Sequence, residues 1–238
     1  MSGALARGAH RLAAVGTVAE AWDFLRRNVG VDLVFLELKL EGENGLALVE
    51  NLRANVLLKL MPVVIYTSVA DRAAVKKAME IKVQNFLIKP YLDHQILSEV
   101  GKAVANPWRN QHFEEEKSFC AMMGYTADGL HKTLDQLKTA LSIASPALIE
   151  LAKIPKTSEI IAQLTELASA AEAAGAWGVV EMLGSLREIA ERGNGETFTE
   201  AVASLDFAQR LIFAHLTPAV FQRTDELSVG ARREMNTT

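Results

Sequence analysis

Through the first hundred or so residues, short unbroken apolar runs alternate with segments whose apolar positions recur at helical spacing. Asp32 to Leu38 reads DLVFLEL, and Pro62 to Tyr66 reads PVVIY. Asn85 to Ile88 reads NFLI and stops at Lys89-Pro90. Runs of this length without polar alternation suit strands buried on both faces. Between them lie helical patterns. After a turn at Gly42–Gly45, Leu46, Leu48, Val49 and Leu52 share a helix face. Asp71 to Ile81 turns Ala74, Val75, Ala78 and Met79 inward, and Asp93 to Val104 does so with Ile96, Leu97, Val100 and Val104. Upstream, Arg11 to Val15 reads as a strand and Val18 to Arg27 as a helix. Repeated strand–helix pairs with short connections imply a parallel sheet with helices on both faces.

Beyond residue 125 the period is helical throughout. Leu130, Leu134, Leu137 and Leu141 line a helix over 126–143, and Ser145-Pro146 predicts a new short helix ending before Pro155. Ile160, Ile161, Leu164, Leu167, Ala168 and Ala171 form a wide apolar face over 157–174. Val180, Leu183 and Leu186 do so over 177–191, which closes at Gly193-Asn194-Gly195. Thr197-Phe198-Thr199-Glu200 has capping-box spacing ahead of Val202, Leu205, Leu211 and Ile212. Four or five helices with short loops predict an antiparallel bundle. The chain therefore divides into an α/β unit (1–106), a connecting segment (107–125), an all-α bundle (126–216) and a polar, frayed tail (217–238).

Charge sharpens that division. Residues 1–112 hold 14 Lys and Arg against 11 Asp and Glu; residues 113–238 hold 11 against 18. The halves thus carry +3 and −7, and an acidic bundle argues against nucleic acid as its target. No apolar run reaches the roughly 18 residues a membrane helix needs, and the first residues lack the apolar core of a signal peptide. The lone Cys120 has no internal disulfide partner, which suits a reducing, cytoplasmic setting. With acids around it, it carries no signature of a reactive thiolate. Phe119, Met122 and Met123 read as core or interface.

In parallel sheets the reactive site lies at the carboxyl ends of the strands. Glu37, Thr67 and Lys89 stand there: an acid, a hydroxyl and an ammonium. Each also has a plainer reading, as an ion-pair partner, a helix cap and a solvated loop charge.

The segments DLVFLELKLEGENGLALVENLR, PVVIYTS and NFLIKPY resemble a response-regulator receiver domain over residues 10–105. The resemblance implies a flavodoxin-like (CheY-like) α/β fold with strand order 2-1-3-4-5. It also implies that Thr67 and Lys89 are the family's hydroxyl and lysine and Phe86 its aromatic switch position. At the position of the family's phosphoacceptor aspartate stands Glu37. The family's metal-holding acidic pair at the end of its first strand has no counterpart, because GALARGAHRLAAVGT resembles the first helix's end and the second strand. Without clustered carboxylates Mg²⁺ lacks a hard-oxygen site, so no cofactor is expected. Glu is one methylene longer than Asp, and its carboxylate reaches about where an acyl phosphate's oxygens would lie. Lys89 and Thr67 then pair with Glu37 directly. The expectation is a pseudo-receiver, not switched by phosphorylation; an inert scaffold held by a Glu37 salt bridge is the alternative.

A family first strand would sit mid-sheet, so its absence would leave unpaired edges. Three resolutions remain open: a start upstream of Met1, an N-terminal strand that slides inward, or a strand donated by a partner.

In the second half, Ala173–Trp177, Leu183–Leu186 and Arg192–Asn194 are faintly similar to a histidine-phosphotransfer domain, whose histidine would fall near Thr165. His131 reads as a solvated helix histidine, and His215 as a packing or dipole residue. Asp135-Gln136 and Glu166 are the only other candidates for phosphoryl chemistry. No P-loop, H-E-x-x-H, C-x-x-C, G-x-S-x-G, GGDEF, EAL or HD-GYP signature occurs, so no enzyme is expected. The resulting expectation is an atypical response regulator whose bundle signals by contact with a protein partner, a histidine kinase or another regulator, with no nucleic acid or membrane involved. The resemblance also implies a homodimer through the last strand and helix face. The alternative is a phosphotransfer or phosphatase module acting on a partner receiver.

Overall fold

The computed structural model describes residues 10–40, 42–68, 72–154, 157–193 and 195–218. In chain order these form α1 (Val18–Arg27), β1 (Val34–Leu36), β2 (Lys39–Leu40), β3 (Glu43–Asn44), α2 (Leu46–Ala54), β4 (Val63–Thr67), α3 (Arg72–Glu80), β5 (Asn85–Ile88) and α4 (Asp93–Ala105). A 3-10 turn (Trp108–His112) leads to α5 (Glu116–Met123), α6 (Ala127–Ala152), α7 (Thr157–Ala173), α8 (Trp177–Glu191) and α9 (Gly195–Leu216). No described helix is long and apolar enough to cross a membrane.

β1, β4 and β5 form a parallel sheet in that order, with Phe35 opposite Val64 and Ile65 opposite Phe86. This parallel sheet is followed by a largely helical region. α4 covers one face, where Ile96 and Val100 bury Val64 and Leu87. α2 and α3 cover the other, where Leu46 and Ala78 meet Leu38 and Ile65. Arg53 pins the loops around β4: its guanidinium donates to the carbonyls of Lys59, Met61, Ile81 and Lys82.

One apolar core runs through both halves. It joins Leu25, Val49, Leu52, Leu57 and Met61 of the sheet half to Trp108, Phe119, Leu134, Leu183 and Leu211. α6 lies antiparallel along α9, Gly195 meeting the Ala152 carbonyl, and α7 pairs with α8.

Several expectations change. Residues 11–15 form no strand, so among the described residues the outer edge of β1 pairs with no other strand. The turn at Gly42–Gly45 includes a short antiparallel ladder, β2 with β3. α6 runs straight through Pro146 rather than breaking there. Pro146 and Ser142, whose carbonyl it deprives of a donor, lie on the exposed side, while Leu141 and Leu148 anchor the helix on its buried side. α9 begins at Gly195, which places Thr197 inside the first turn and not at the cap. Met79, Leu97 and Val104 are exposed, not inward, because single small or central residues (Ala78, Ile96, Val100) suffice to seat their helices. Met122 and Met123 are exposed too, whereas Phe119 is buried. The expected fraying of the tail lies, from residue 219 on, outside the described residues.

Candidate functional site

The site lies at the carboxyl edge of the sheet because three connections leave the strands there. Glu37 follows β1, Thr67 ends β4, and Lys89 follows β5. Parallel pairing with in-step register brings them together: Thr67 is the partner of Ile88, and the Lys89 N–H donates to the Thr67 carbonyl at 2.9 Å. The Lys89–Pro90 peptide is cis. On the Glu37 side the chain turns sharply into α2. A Cβ on Gly45 would lie 2.3 Å from the Glu37 carbonyl oxygen, so only glycine allows this approach.

Glu37 closes on its neighbours. Lys89 Nζ donates to Glu37 Oε2 at 2.5 Å, and the Leu38 N–H donates to Oε1 at 3.0 Å. The Thr67 hydroxyl, itself buried, donates to the same carboxylate. Burial alone would raise the Glu37 carboxyl; the bonds from Lys89, Thr67 and Leu38 outweigh it and hold the group below its ordinary value. The bond to Glu37 correspondingly raises Lys89.

Two residues unweighed at the level of sequence complete the arrangement. Lys89 Nζ stands 4.7 Å from the centre of the Tyr66 ring, a cation–π contact. Tyr66 is held edge-to-face by Phe35 at 6.5 Å and Tyr91 at 6.2 Å. Burial raises the Tyr66 hydroxyl above its ordinary value. The signal was present in the strings Tyr66-Thr67 and Lys89-Pro90-Tyr91, each placing an aromatic beside a polar site residue. Phe86 is not part of the cluster. It packs on the opposite side with Leu38, Ile65 and Ala78.

A divalent cation does not fit these residues. Both Glu37 oxygens are engaged, an ammonium occupies the neighbouring position, and no group of three His, Cys, Asp or Glu suited to a metal exists among the described residues.

Among its described residues the helical half brings no such cluster together. His131 Nε2 pairs with Glu116 at 3.0 Å, and Asp135 pairs with Lys138 at 2.5 Å. Thr165 donates its hydroxyl to its own helix, at the Ile161 carbonyl, 2.8 Å away. Glu166 lies exposed on α7, apart from these. His215 stacks on Phe113 with ring centres 4.0 Å apart.

The parallel sheet with an acid, a hydroxyl and a lysine at its carboxyl edge is what the resemblance to a receiver domain implies, and sequence comparison points to the same part of the chain. Residues 2–101 match the response regulator receiver domain family. That match takes in a little under half of the chain, and the likeness applies to this part alone. The chain is 34% identical over 80 residues to a chemotaxis protein CheY homologue of Campylobacter jejuni, which covers 34% of this chain and 61% of the relative. It is 31% identical over 80 residues to chemotaxis protein CheY1 of Helicobacter pylori, covering 34% of this chain and 64% of that protein. The chain thus spans less than two thirds of the length of these relatives. A solved structure, the Mn(2+)-bound form of response regulator Rcp1, aligns with a TM-score of 0.33 at 22% identity, over 41% of this chain and 74% of that one.

Proposed function

We propose that this chain is an atypical response regulator whose receiver domain is held in one signalling state by Glu37, and whose helical half signals by binding a protein partner. The observation that carries the reading is the closed set of bonds around the Glu37 carboxylate. Lys89, Thr67 and the Leu38 N–H serve a carboxylate that the protein always carries, in place of a phosphoryl group it would have to acquire. Phosphoryl transfer rests on positioning and charge neutralisation, and here the neutralising lysine is already committed. The partner is a signalling protein, a histidine kinase or another regulator, met in the cytoplasm. An acidic helical half suits protein contact better than nucleic acid. Met79, Ile88, Leu92 and Leu97 are exposed around α3, β5 and α4, which suits a homodimer through that face. No observation favours the phosphotransfer or phosphatase alternative, since its candidates His131 and Asp135 are bound to neighbouring side chains.

Amide resonances test the reading. Glu37→Gln keeps the shape of the side chain and removes its charge; Leu38, Thr67, Lys89 and Tyr91 should shift together. Addition of Mg²⁺ to the unmodified protein should leave them in place. If Glu37→Gln perturbs only its immediate neighbour, or Mg²⁺ moves the whole set, the reading is wrong.

A further inference from the structure

A strap of residues 108–114 crosses between the two halves, and each side is tied. Toward the sheet half, Trp108 Nε1 donates to the Val31 carbonyl at 2.8 Å and Arg109 pairs with Asp32 at 2.7 Å. Toward the helical half, the Glu114 N–H donates to the Gly175 carbonyl at 2.8 Å. The Glu114 carboxylate accepts from Trp177 Nε1 at 2.7 Å, and Phe113 stacks on His215. At the centre of the strap is His112, only 2% exposed.

The His112 ring is wedged between the halves. A Cβ on Gly178 of α8 would lie 2.2 Å from His112 Nδ1, so the ring occupies the space a side chain would need. Trp108 closes it edge-on at 5.7 Å. Its Nε2 is buried with no hydrogen-bond partner among the described residues. A neutral ring can leave a nitrogen lone pair unserved at modest cost. A protonated ring adds a charge and an N–H with no acceptor, which is far costlier.

We propose that this strap is a proton-sensitive latch between the two halves, closed while His112 is neutral and released when it is protonated. The charged groups facing His112 do not supply a counter-ion. Lys59, from the loop after α2, and Glu181, from α8, are paired with each other; the first opposes protonation and the second favours it. The Leu57 carbonyl also favours it. Burial outweighs these and lowers His112 from 6.5 to about 4. The imidazole stacked against the strap from α9, His215, leans the same way. Burial, then the nearby His131, lowers His215, while Glu116 favours its charged form. A released strap gives both rings water.

The latch needs neither the Glu37 reading nor any partner, and hydrogen exchange on the full chain tests it. Protection of amides 108–114 and of the first turn of α8 should fall by about 100-fold between pH 7.5 and pH 4.5, while the centres of α6 and α9 stay protected. His112→Phe, which fills the wedge and cannot be charged, should abolish that fall. Gly178→Ala should open the strap already at neutral pH and return the His112 titration, read by NMR, toward its ordinary value. Flat protection in the unmodified protein, an equal fall in His112→Phe, or an equal loss in the centres of α6 and α9 would each overturn the latch. So would a His112 that titrates normally in the unmodified protein.

Discussion

At the carboxyl edge of the sheet, Glu37 is served by three donors from three different segments. On α7, at the position where the faint similarity to phosphotransfer domains would put a histidine, Thr165 bonds only its own helix. Both are positions where a resemblance would put a phosphoryl-accepting group, yet they differ in what surrounds them. Around Glu37 a long-range constellation is kept intact and satisfied. Around Thr165 nothing converges among the described residues. The first is a site whose charge is built in; the second is a piece of helix surface.

The contrast requires that the halves move as one body, and the largest expected effect probes that. Leu52 is fully buried in the core that both halves share. Leu52→Ala should cost about 3 kcal/mol and lower the unfolding of the helical half along with the sheet half, in a single transition. Two separate transitions in chemical denaturation, with only the first displaced, would break the comparison into two independent domains. Gly178→Ala forces a methyl against His112 and should cost about 1–3 kcal/mol at pH 7, read from the same denaturation curves.

Lys89→Met sharpens the account of the site itself. It leaves the Glu37 carboxylate with Thr67 and Leu38 but no counter-charge, and should cost about 1–2 kcal/mol near neutral pH, discounted for the partial exposure of Lys89. The sign with pH follows from the two shifts. The folded value of Glu37 lies below 4.5, so its contribution is present above 4.5 and lost as pH falls through the folded value. The folded value of Lys89 lies above 10.5, so its contribution is present below 10.5 and lost as pH rises through the folded value. Stability against pH should therefore be flatter in Lys89→Met at both ends. The smallest effect falls on the other side of the comparison: Thr165→Ala should change stability by less than about 0.5 kcal/mol and leave the conformation of residues 37–91 untouched, seen in the amide spectrum.

Much of this was legible along the chain, for reasons that can be named. The strands at Val34, Val63 and Asn85 announce themselves because both faces are buried and the runs are unbroken. Glu37, Thr67 and Lys89 are visible because each follows such a run. What escaped depends on neighbours far away in sequence. Pro146 reads as a helix start until α6 is seen to be anchored on its far side. Met79, Leu97 and Val104 fit an inward stripe, but the faces of α3 and α4 that meet the sheet are narrower than the stripe. Phe86 matches a position and yet turns to the far side of the sheet. Residues 107–125 read as a connecting segment, and His112 is buried there because it packs against Gly178, far along the chain.

The most direct measurement is incubation of the full chain with a small acyl-phosphate donor and Mg²⁺, followed by intact-mass analysis and peptide mapping. With Glu37 already held by Lys89, Thr67 and Leu38, the chain should acquire no phosphoryl group on the sheet's carboxyl edge at any donor concentration. A Mg²⁺-dependent adduct on Glu37, or on an aspartate beside it, would contradict the account.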